Sequence, residues 1–248
     1  MTKHILARTA RAGLGLWLFT AFAHSAELPK NPSSGSQPVR INPGAATTEA
    51  ELAARKFKLA PGLKVDLWAA EPMLANPVSF CIDERGGIYV AETHRLHQGV
   101  TDIRSHMNWL DEELANQTTD DMRKLFVRYN YDGKTNVSER ITLLQDRTTA
   151  GRATHATVFA DGIFNSTVDG IGAGLLARRG NVWFANIPNL WLLRDNDGDG
   201  KTDGPKDVRK PLLTGFGVRV GFLGHDLHGL RMGPDGKLYF SIGDRGPT

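Results

Sequence analysis

Short segments with alternating hydrophobic and polar residues dominate this chain. Segments 86–92, 180–186 and 236–244 (GGIYVAE, GNVWFAN, GKLYFSIGD) each begin at a glycine turn and alternate β-branched or aromatic residues with small or polar ones. This period of two predicts strands with two unlike faces. The segment EAELAARKFKLAPGL, from Glu49, instead predicts a short helix that leads into a turn.

A second repeat has a constant offset of 49 residues. LLQDRTTAG and LLRDNDGDG share four residues: Leu143, Leu144, Asp146 and Gly151 fall on Leu192, Leu193, Asp195 and Gly200. Repeats of about 40–50 residues built from short strands are typical of propeller blades. We therefore predict an all-β chain of the six-bladed β-propeller type, truncated to about four blades over residues 51–248. A β-sandwich with chance internal similarity is the alternative.

Residues 100–130 break the strand pattern with apolar residues at helical spacing. Thr119, followed by two aspartates, is a suitable helix start. Two interpretations remain open, a helical insertion over one rim of the propeller and a charged surface decoration.

The N-terminus resembles a secretory signal peptide over residues 1–26. Three basic residues precede an apolar run of about 12 residues, which is shorter than the roughly 20 that span a bilayer. Cleavage lowers the formal net charge from +3 to 0, which removes the argument for a nucleic-acid partner. Residues 27–50, rich in Pro, Ser and Gly, predict a flexible linker. We expect a periplasmic or secreted protein without a stable membrane span; an uncleaved anchor is the alternative.

Cysteine chemistry is limited to Cys81, which lies in the apolar run PVSFCID and is expected to be a small buried hydrophobe. The chain has no C-x-x-C-H haem attachment motif. The sequence stops just after a strand signal at YFSIGDRGPT, so we expect the N-terminal part of a longer protein.

The stretch RDNDGDGKTDG (194–204) places acidic residues at the spacing of a calcium loop. Calcium takes six to eight oxygen ligands. The candidate ligands are Asp195, Asp197, Asp199, the Lys201 carbonyl and Asp203. A helical EF-hand is disfavoured, because its twelfth position is Lys206 rather than glutamate.

The repeat provides an internal comparison for this loop. At offset 49, Asp197, Asp199 and Asp203 correspond to Thr148, Ala150 and Thr154, so the turn does not need those carboxylates. Crowded aspartates repel one another without a cation. Calcium is the favoured interpretation, and a solvated acidic turn is the alternative.

Two histidines form the second candidate site. His225 and His228 precede a GPDG turn and the strand KLYFSIGD. A histidine on a propeller rim can act as a general base near neutral pH. The alternative is that one or both imidazoles hydrogen-bond the nearby backbone. Without a third ligand, the two do not make a zinc site.

The stretch GHDLHGLRMGPDGKLYFSIGDRG (224–246) resembles the soluble quinoprotein sugar dehydrogenases of the glucose/sorbosone dehydrogenase group. Three further stretches, LAPGLKVDLWAAEPMLANPVSFCIDERGGIYVAETHR, TVFADGI and RDNDGDGKTDG, resemble the propeller of large secreted dehydrogenase-like proteins of planctomycetes and verrucomicrobia. The resemblance covers residues from about 52 to the end. It implies a six-bladed propeller, the cofactor pyrroloquinoline quinone with calcium beside it, and a cytochrome domain elsewhere in a longer chain or a partner.

The resemblance also implies roles for individual residues. His225, eight residues before the GPD glycine, would be the catalytic base that deprotonates a sugar hydroxyl, with His228 as the fallback. Asp244 and Arg245, in GDRG, would lie beside the cofactor, where the guanidinium would pair with a quinone carboxylate. The acidic loop would hold a structural calcium ion.

The expected function is therefore oxidation of a sugar or other alcohol substrate, with electrons passed to the quinone and then to a cytochrome. The competing hypothesis is a non-catalytic propeller that binds polysaccharide or a partner protein within a larger envelope protein.

Overall fold

The computed structural model describes residues 48–247. Strands account for 31% of the residues and helices for 14%, which confirms the prediction of a mostly β chain. The predicted signal peptide lies outside the described residues, and the end of the predicted linker belongs to the first helix. None of the helices within residues 48–247 is long and apolar enough to cross a membrane.

The elements follow one another in three groups separated by loops. The helices are α1 (Thr48–Ala54), α2 (Leu110–Ala115) and α3 (Thr119–Arg128). The strands are β1 (Pro77–Ile82), β2 (Ile88–Glu92), β3 (Arg140–Gln145), β4 (His155–Ala160), β5 (Gly174–Arg178), β6 (Asn181–Asn186), β7 (Asn189–Arg194), β8 (Val208–Thr214), β9 (Leu227–Met232) and β10 (Leu238–Ile242). The three repeated segments of the sequence form β2, β6 and β10, the second strand of each sheet.

The strands form three antiparallel sheets in chain order. Sheet 1 contains β1-β2-β3-β4, sheet 2 contains β5-β6-β7-β8, and sheet 3 pairs β9 with β10. Within residues 48–247 these sheets form no closed barrel or propeller. The prediction of about four blades is wrong for residues 48–247, which contain three sheets. The count divided the length of the chain by the 49-residue period, but residues 93–139 form helices and loops instead of strands.

Consecutive sheets have the same orientation. Glu84, in the β1–β2 turn, accepts the backbone N–H of Arg179 from the β5–β6 turn at 3.1 Å. Gly174, which begins β5, lies against His228 near the start of β9. One end of the three sheets, here called the rim, therefore carries the ends of β2, β6 and β10. The opposite end, here called the turn side, carries the β1–β2, β3–β4, β5–β6 and β7–β8 turns.

Two hydrophobic layers hold the sheets together. In β6, Val182 and Phe184 face the core shared with sheet 1, whereas Trp183 and Ala185 face the core shared with sheet 3. Successive side chains of a strand point to opposite faces. The alternating residues of β6 therefore pack on both sides, and sheet 2 lies between sheet 1 and sheet 3.

The segment between β2 and β3 is a packed layer. Helix α3 begins at the predicted Thr119, with Thr118 as its N-cap in a capping box with Asp121. Trp109 and Phe126 from this segment are buried together with Val220 from the loop before β9. The segment is therefore a helical insertion with its own core and not a charged surface decoration.

Candidate functional site

The candidate catalytic pair lies on the rim at the base of the β9–β10 hairpin. Nδ1 of His225 is 3.2 Å from Oδ1 of Asp244. The two side chains are 56% and 38% exposed, so the imidazole is accessible to solvent. The ring of Phe222 lies edge-on, with 5.5 Å between the ring centroids. A carboxylate against one imidazole nitrogen is the arrangement that orients a histidine base.

Two glycines allow this pair to form. A Cβ at Gly243 would lie 2.7 Å from the carbonyl oxygen of His225, so only glycine lets the end of β10 approach this closely. Gly224 has a φ of 89°, and the backbone N–H of His225 bonds to the Phe222 carbonyl at 3.1 Å to close the turn. The local sequence thus fixes where both side chains leave the backbone.

The insertion forms a wall of the rim beside this pair. Oδ2 of Asp102 accepts the backbone N–H of Leu223 at 3.0 Å, and Oε1 of Glu113 accepts that of Gly221 at 2.9 Å. The guanidinium of Arg104 binds Asp102 and holds the pKa of that carboxyl well below its usual range. These contacts hold the loop that precedes His225 against the helical layer.

His228, the fallback base, is placed differently. Its Nδ1 is 3.0 Å from the carbonyl oxygen of Asp226, and its side chain is half-buried. This is the backbone-bonded arrangement considered from the sequence. Of the two histidines, only His225 is paired with a carboxylate in the described residues.

Arg245 is 1% exposed, and its guanidinium is already bound. Nη1 donates to Oδ1 of Asp226 at 2.7 Å, and Nε donates to the carbonyl of Arg219 at 3.2 Å. Arg95, at the same position in sheet 1, is also buried and donates to five backbone carbonyls, those of Gly99, Gly133, Lys134, Val137 and Ser166. In both sheets, the buried arginine at this position stabilises the loops of the rim through hydrogen bonds from its guanidinium group. Sequence reasoning missed Asp226, whose neighbours in the chain gave no sign of its burial.

The acidic loop joins β7 to β8 on the turn side. Asp195 accepts the backbone N–H groups of Asp197 at 3.1 Å, Gly198 at 2.6 Å and Gly200 at 2.8 Å. Asp146, in the β3–β4 turn, accepts three N–H groups in the same way, from Thr148, Ala150 and Gly151. The repeated aspartate therefore builds the turn, and the remaining acidic residues of the β7–β8 loop are not needed for it.

The structure changes the set of candidate metal ligands. Carboxylate oxygens of Asp195, Asp197 and Asp207 lie within 4.8 Å of one another. The predicted ligands Asp199 and Asp203 are not in this group, and Oδ1 of Asp199 accepts the backbone N–H of Lys201 at 2.8 Å instead. The carbonyl oxygen of Lys201 stays a predicted ligand, because the group is defined by side-chain atoms alone. Sequence reasoning missed Asp207, although the β7–β8 hairpin was a usable signal: Arg194 pairs with Val208, so residues 195 and 207 face each other.

Gly204 keeps the space between two of these carboxylates open. A Cβ at this position would lie 3.0 Å from Oδ2 of both Asp197 and Asp207. The backbone N–H groups of Asn196 and Gly204 bond to Asp207 and lower its pKa, so this carboxylate stays ionised. The donor set, clustered carboxylate oxygens around a space that a methyl group would fill, fits a calcium ion.

The acidic loop is anchored to the outer strand of sheet 1. The backbone N–H and the hydroxyl of Thr202 both donate to the carbonyl of Phe159 in β4, at 2.9 and 3.0 Å. The hydroxyl also accepts Nε of Arg209 at 3.0 Å. The loop that carries the metal candidates therefore connects sheet 2 to sheet 1.

Comparison with known proteins identifies one family. The family model described as a domain of unknown function (DUF7133) matches residues 49–248, and the chain belongs to this family. No curated protein and no solved structure matches the chain significantly.

Proposed function

We propose that this DUF7133 member is a propeller-type oxidoreductase domain in which His225 removes a proton from a hydroxyl group of a sugar or other alcohol. The observation that carries the proposal is the 3.2 Å contact between Nδ1 of His225 and Oδ1 of Asp244 on the exposed rim. A carboxylate that accepts the Nδ1 proton leaves Nε2 as the basic nitrogen. Histidine is also the side chain that most often acts as a general base.

The arrangement of the sheets supports the propeller part of the proposal. Each four-stranded sheet is a simple antiparallel meander, as in a propeller blade. The first strands β1, β5 and β9 are neighbours and run in the same direction, which is how the inner strands of successive blades are placed. We assign sheets 1 and 2 as two blades and sheet 3 as part of the next.

Arg245 does not fit the role of a quinone ligand. Its guanidinium is buried and bound to Asp226, so it cannot reach a carboxylate on a ligand at the rim. Asp244 contacts Nδ1 of His225 through Oδ1, and in this proposal it orients the base. The described residues support the proton-abstraction part of the reaction, and the quinone that the resemblance implies needs other ligands.

The buried state of Arg245 also favours the second candidate function. A propeller whose arginine at this position is wholly structural can serve as a binding module for polysaccharide or protein without redox chemistry. The two proposals differ in one measurable property, because only the first requires turnover.

The test is dye-linked oxidation of a panel of sugars and alcohols, with added pyrroloquinoline quinone and calcium. We expect His225→Gln to lower kcat/KM by about 10²–10⁴-fold, the usual contribution of a general base. Asp244→Asn should cause a smaller loss, and His228→Gln is the matched control that should retain activity. Absence of turnover in the unmodified protein, or an equal loss in His228→Gln, would favour the binding module.

We also propose that Asp195, Asp197 and Asp207 hold a structural calcium ion. Three carboxylates this close repel one another in the absence of a cation, and the matching turn around Asp146 forms without such a cluster. Because Thr202 of the same loop bonds to Phe159, an ion here would strengthen the attachment of sheet 2 to sheet 1.

Calorimetric titration with calcium tests this second site. We expect a Kd of roughly 10⁻⁴–10⁻³ M, as in extracellular calcium modules. Asp207→Asn should abolish binding, and so should Gly204→Ala, which fills the space between the carboxylates without removing any of them. Asp199→Asn is the matched control, because the carboxylate of Asp199 accepts the backbone N–H of Lys201 and is not in the cluster. If Asp199→Asn weakens binding as much as Asp207→Asn does, the ligand set is wrong.

A further inference from the structure

A cleft of about 490 Å³ opens on the turn side, between sheets 1 and 2. Its volume lies within the roughly 300–1,000 Å³ that is typical of small-molecule sites. Its walls combine aromatic rings with planar polar groups, among them Trp68, Tyr89, Phe159, Asp83, Gln145 and Arg147. The residues of the His225 site are at the opposite end of the sheets, so the cleft is separate from that site. Asp195, Gly198 and Gly200 of the acidic β7–β8 loop belong to its lining, so the cleft adjoins the proposed calcium site.

Tyr89 supplies a free polar group at the bottom of this cleft. Its side chain is 5% exposed and packs edge-on against Phe159, with 4.9 Å between the ring centroids. Its hydroxyl makes no hydrogen bond within the described residues and is not among their fully buried polar atoms, so it is open to the cleft. Burial raises the pKa of this hydroxyl to about 12, so it stays protonated and can both donate and accept.

The repeat shows that this unpaired hydroxyl is not a consequence of the fold. Tyr239 is the matching residue in sheet 3, and its hydroxyl donates to Oδ2 of Asp235, four residues earlier, at 2.9 Å. Four residues before Tyr89 the chain carries Arg85, whose side chain is 82% exposed. The local acceptor is therefore missing in sheet 1, and the Tyr89 hydroxyl faces the cleft instead.

The polar groups around the hydroxyl are held in place by the protein. Oδ1 of Asp83 accepts the backbone N–H groups of Arg85 and Gly87, at 2.9 and 2.8 Å. The guanidinium of Arg147 donates to Oε1 of Gln145 at 2.7 and 3.1 Å. The lining therefore contains positioned acceptors and donors as well as aromatic rings.

We propose that this cleft binds a neutral polyhydroxylated ligand, a single sugar unit, whose buried hydroxyl pairs with the Tyr89 hydroxyl. Sugars present the required combination, a weakly polar ring face for the half-buried Trp68 and hydroxyl groups that both donate and accept for the Tyr89 hydroxyl. Carboxylates and guanidinium groups are both present in the lining, which suits a neutral ligand better than a charged one. The proposal does not depend on catalysis at His225.

Isothermal titration with methyl glycosides of glucose, galactose, mannose, xylose and rhamnose tests the proposal, with soluble dextran and xylan as a second arm. Binding of the glycosides identifies a free sugar as the ligand, and binding of the polymers alone identifies a chain end. We expect Tyr89→Phe to weaken binding about tenfold, the effect of one lost hydrogen bond. Tyr239→Phe, which removes the matching hydroxyl in sheet 3, is the control that should bind as the unmodified protein does.

Two results overturn the proposal. One is no binding of any glycoside or polymer at 50 mM sugar units; the other is unchanged affinity in Tyr89→Phe. Thermal unfolding verifies that Tyr89→Phe is folded. If that variant is not folded, Trp68→Ala, at the half-buried wall of the cleft, replaces it and must also weaken binding.

Discussion

The buried ion pair behind the rim gives the sharpest prediction about stability. Asp226 and Arg245 are joined at 2.7 Å, and their side chains are 1% and 2% exposed. Asp226→Asn keeps the shape of the side chain but leaves the guanidinium charge buried without its counter-ion. Breaking a buried pair in this way costs about 3–5 kcal/mol, a large fraction of the 5–15 kcal/mol that stabilises a typical domain.

Urea denaturation followed by tryptophan fluorescence measures this cost. With a slope of about 2 kcal/mol per molar urea, the unfolding midpoint should fall by about 2 M. Replacing both partners, in Asp226→Leu with Arg245→Met, should recover most of the loss, because it removes the unpaired charge as well. Asp66→Asn, which breaks an exposed pair with Lys64, is the control and should leave the midpoint unchanged.

A midpoint shift of less than about 0.5 M for Asp226→Asn would refute the reasoning, because it would mean that water reaches the guanidinium. A double variant no more stable than Asp226→Asn would show that the direct attraction, rather than the unpaired charge, accounts for the loss.

Three further predictions concern Asp169, Cys81 and Thr202. Burial raises the pKa of Asp169 to about 6, so this carboxyl binds its proton more tightly in the folded state than in the unfolded state. Its contribution to stability should therefore fall as the pH rises from about 4 to 6. Asp169→Asn should remove that part of the pH dependence of the urea midpoint. Burial also raises the pKa of the Cys81 thiol to about 12, so iodoacetamide at pH 8 should label it only after unfolding, and rapid labelling of the folded protein would contradict this placement. Thr202→Val removes the hydroxyl between Phe159 and Arg209 and should cost about 1–3 kcal/mol in the same denaturation assay, whereas an unchanged midpoint would show that the loop is not anchored there.

Features that depend on neighbours in the chain were predictable from the sequence. The strands β2, β6 and β10 follow from a period of two, and the start of α3 follows from a threonine before two aspartates. The matching turns of Asp146 and Asp195 also follow, because each aspartate accepts hydrogen bonds only from groups two to five residues ahead. Such interactions are local, so the order of residues is enough to specify them.

The number of sheets was not predictable in this way. The helical insertion occupies residues that a repeat count assigns to strands, and its packing against Val220 depends on contacts between distant parts of the chain. Its amphipathic pattern indicated helices but contained no information about which surface they cover.

The grouping of side chains at both candidate sites was decided by tertiary structure. Composition and spacing marked the β7–β8 loop as acidic, but the closure of the hairpin selected Asp207 over Asp199 as a partner of Asp195 and Asp197. Arg245 carries a charge suited to binding an anionic cofactor, but its guanidinium is buried and forms an ion pair with Asp226 behind the rim. The sequence by itself determined the strands, the repeated turns and the kinds of charged groups available. Only the folded chain decided which groups meet and which reach solvent, because both depend on distances between residues far apart in the chain.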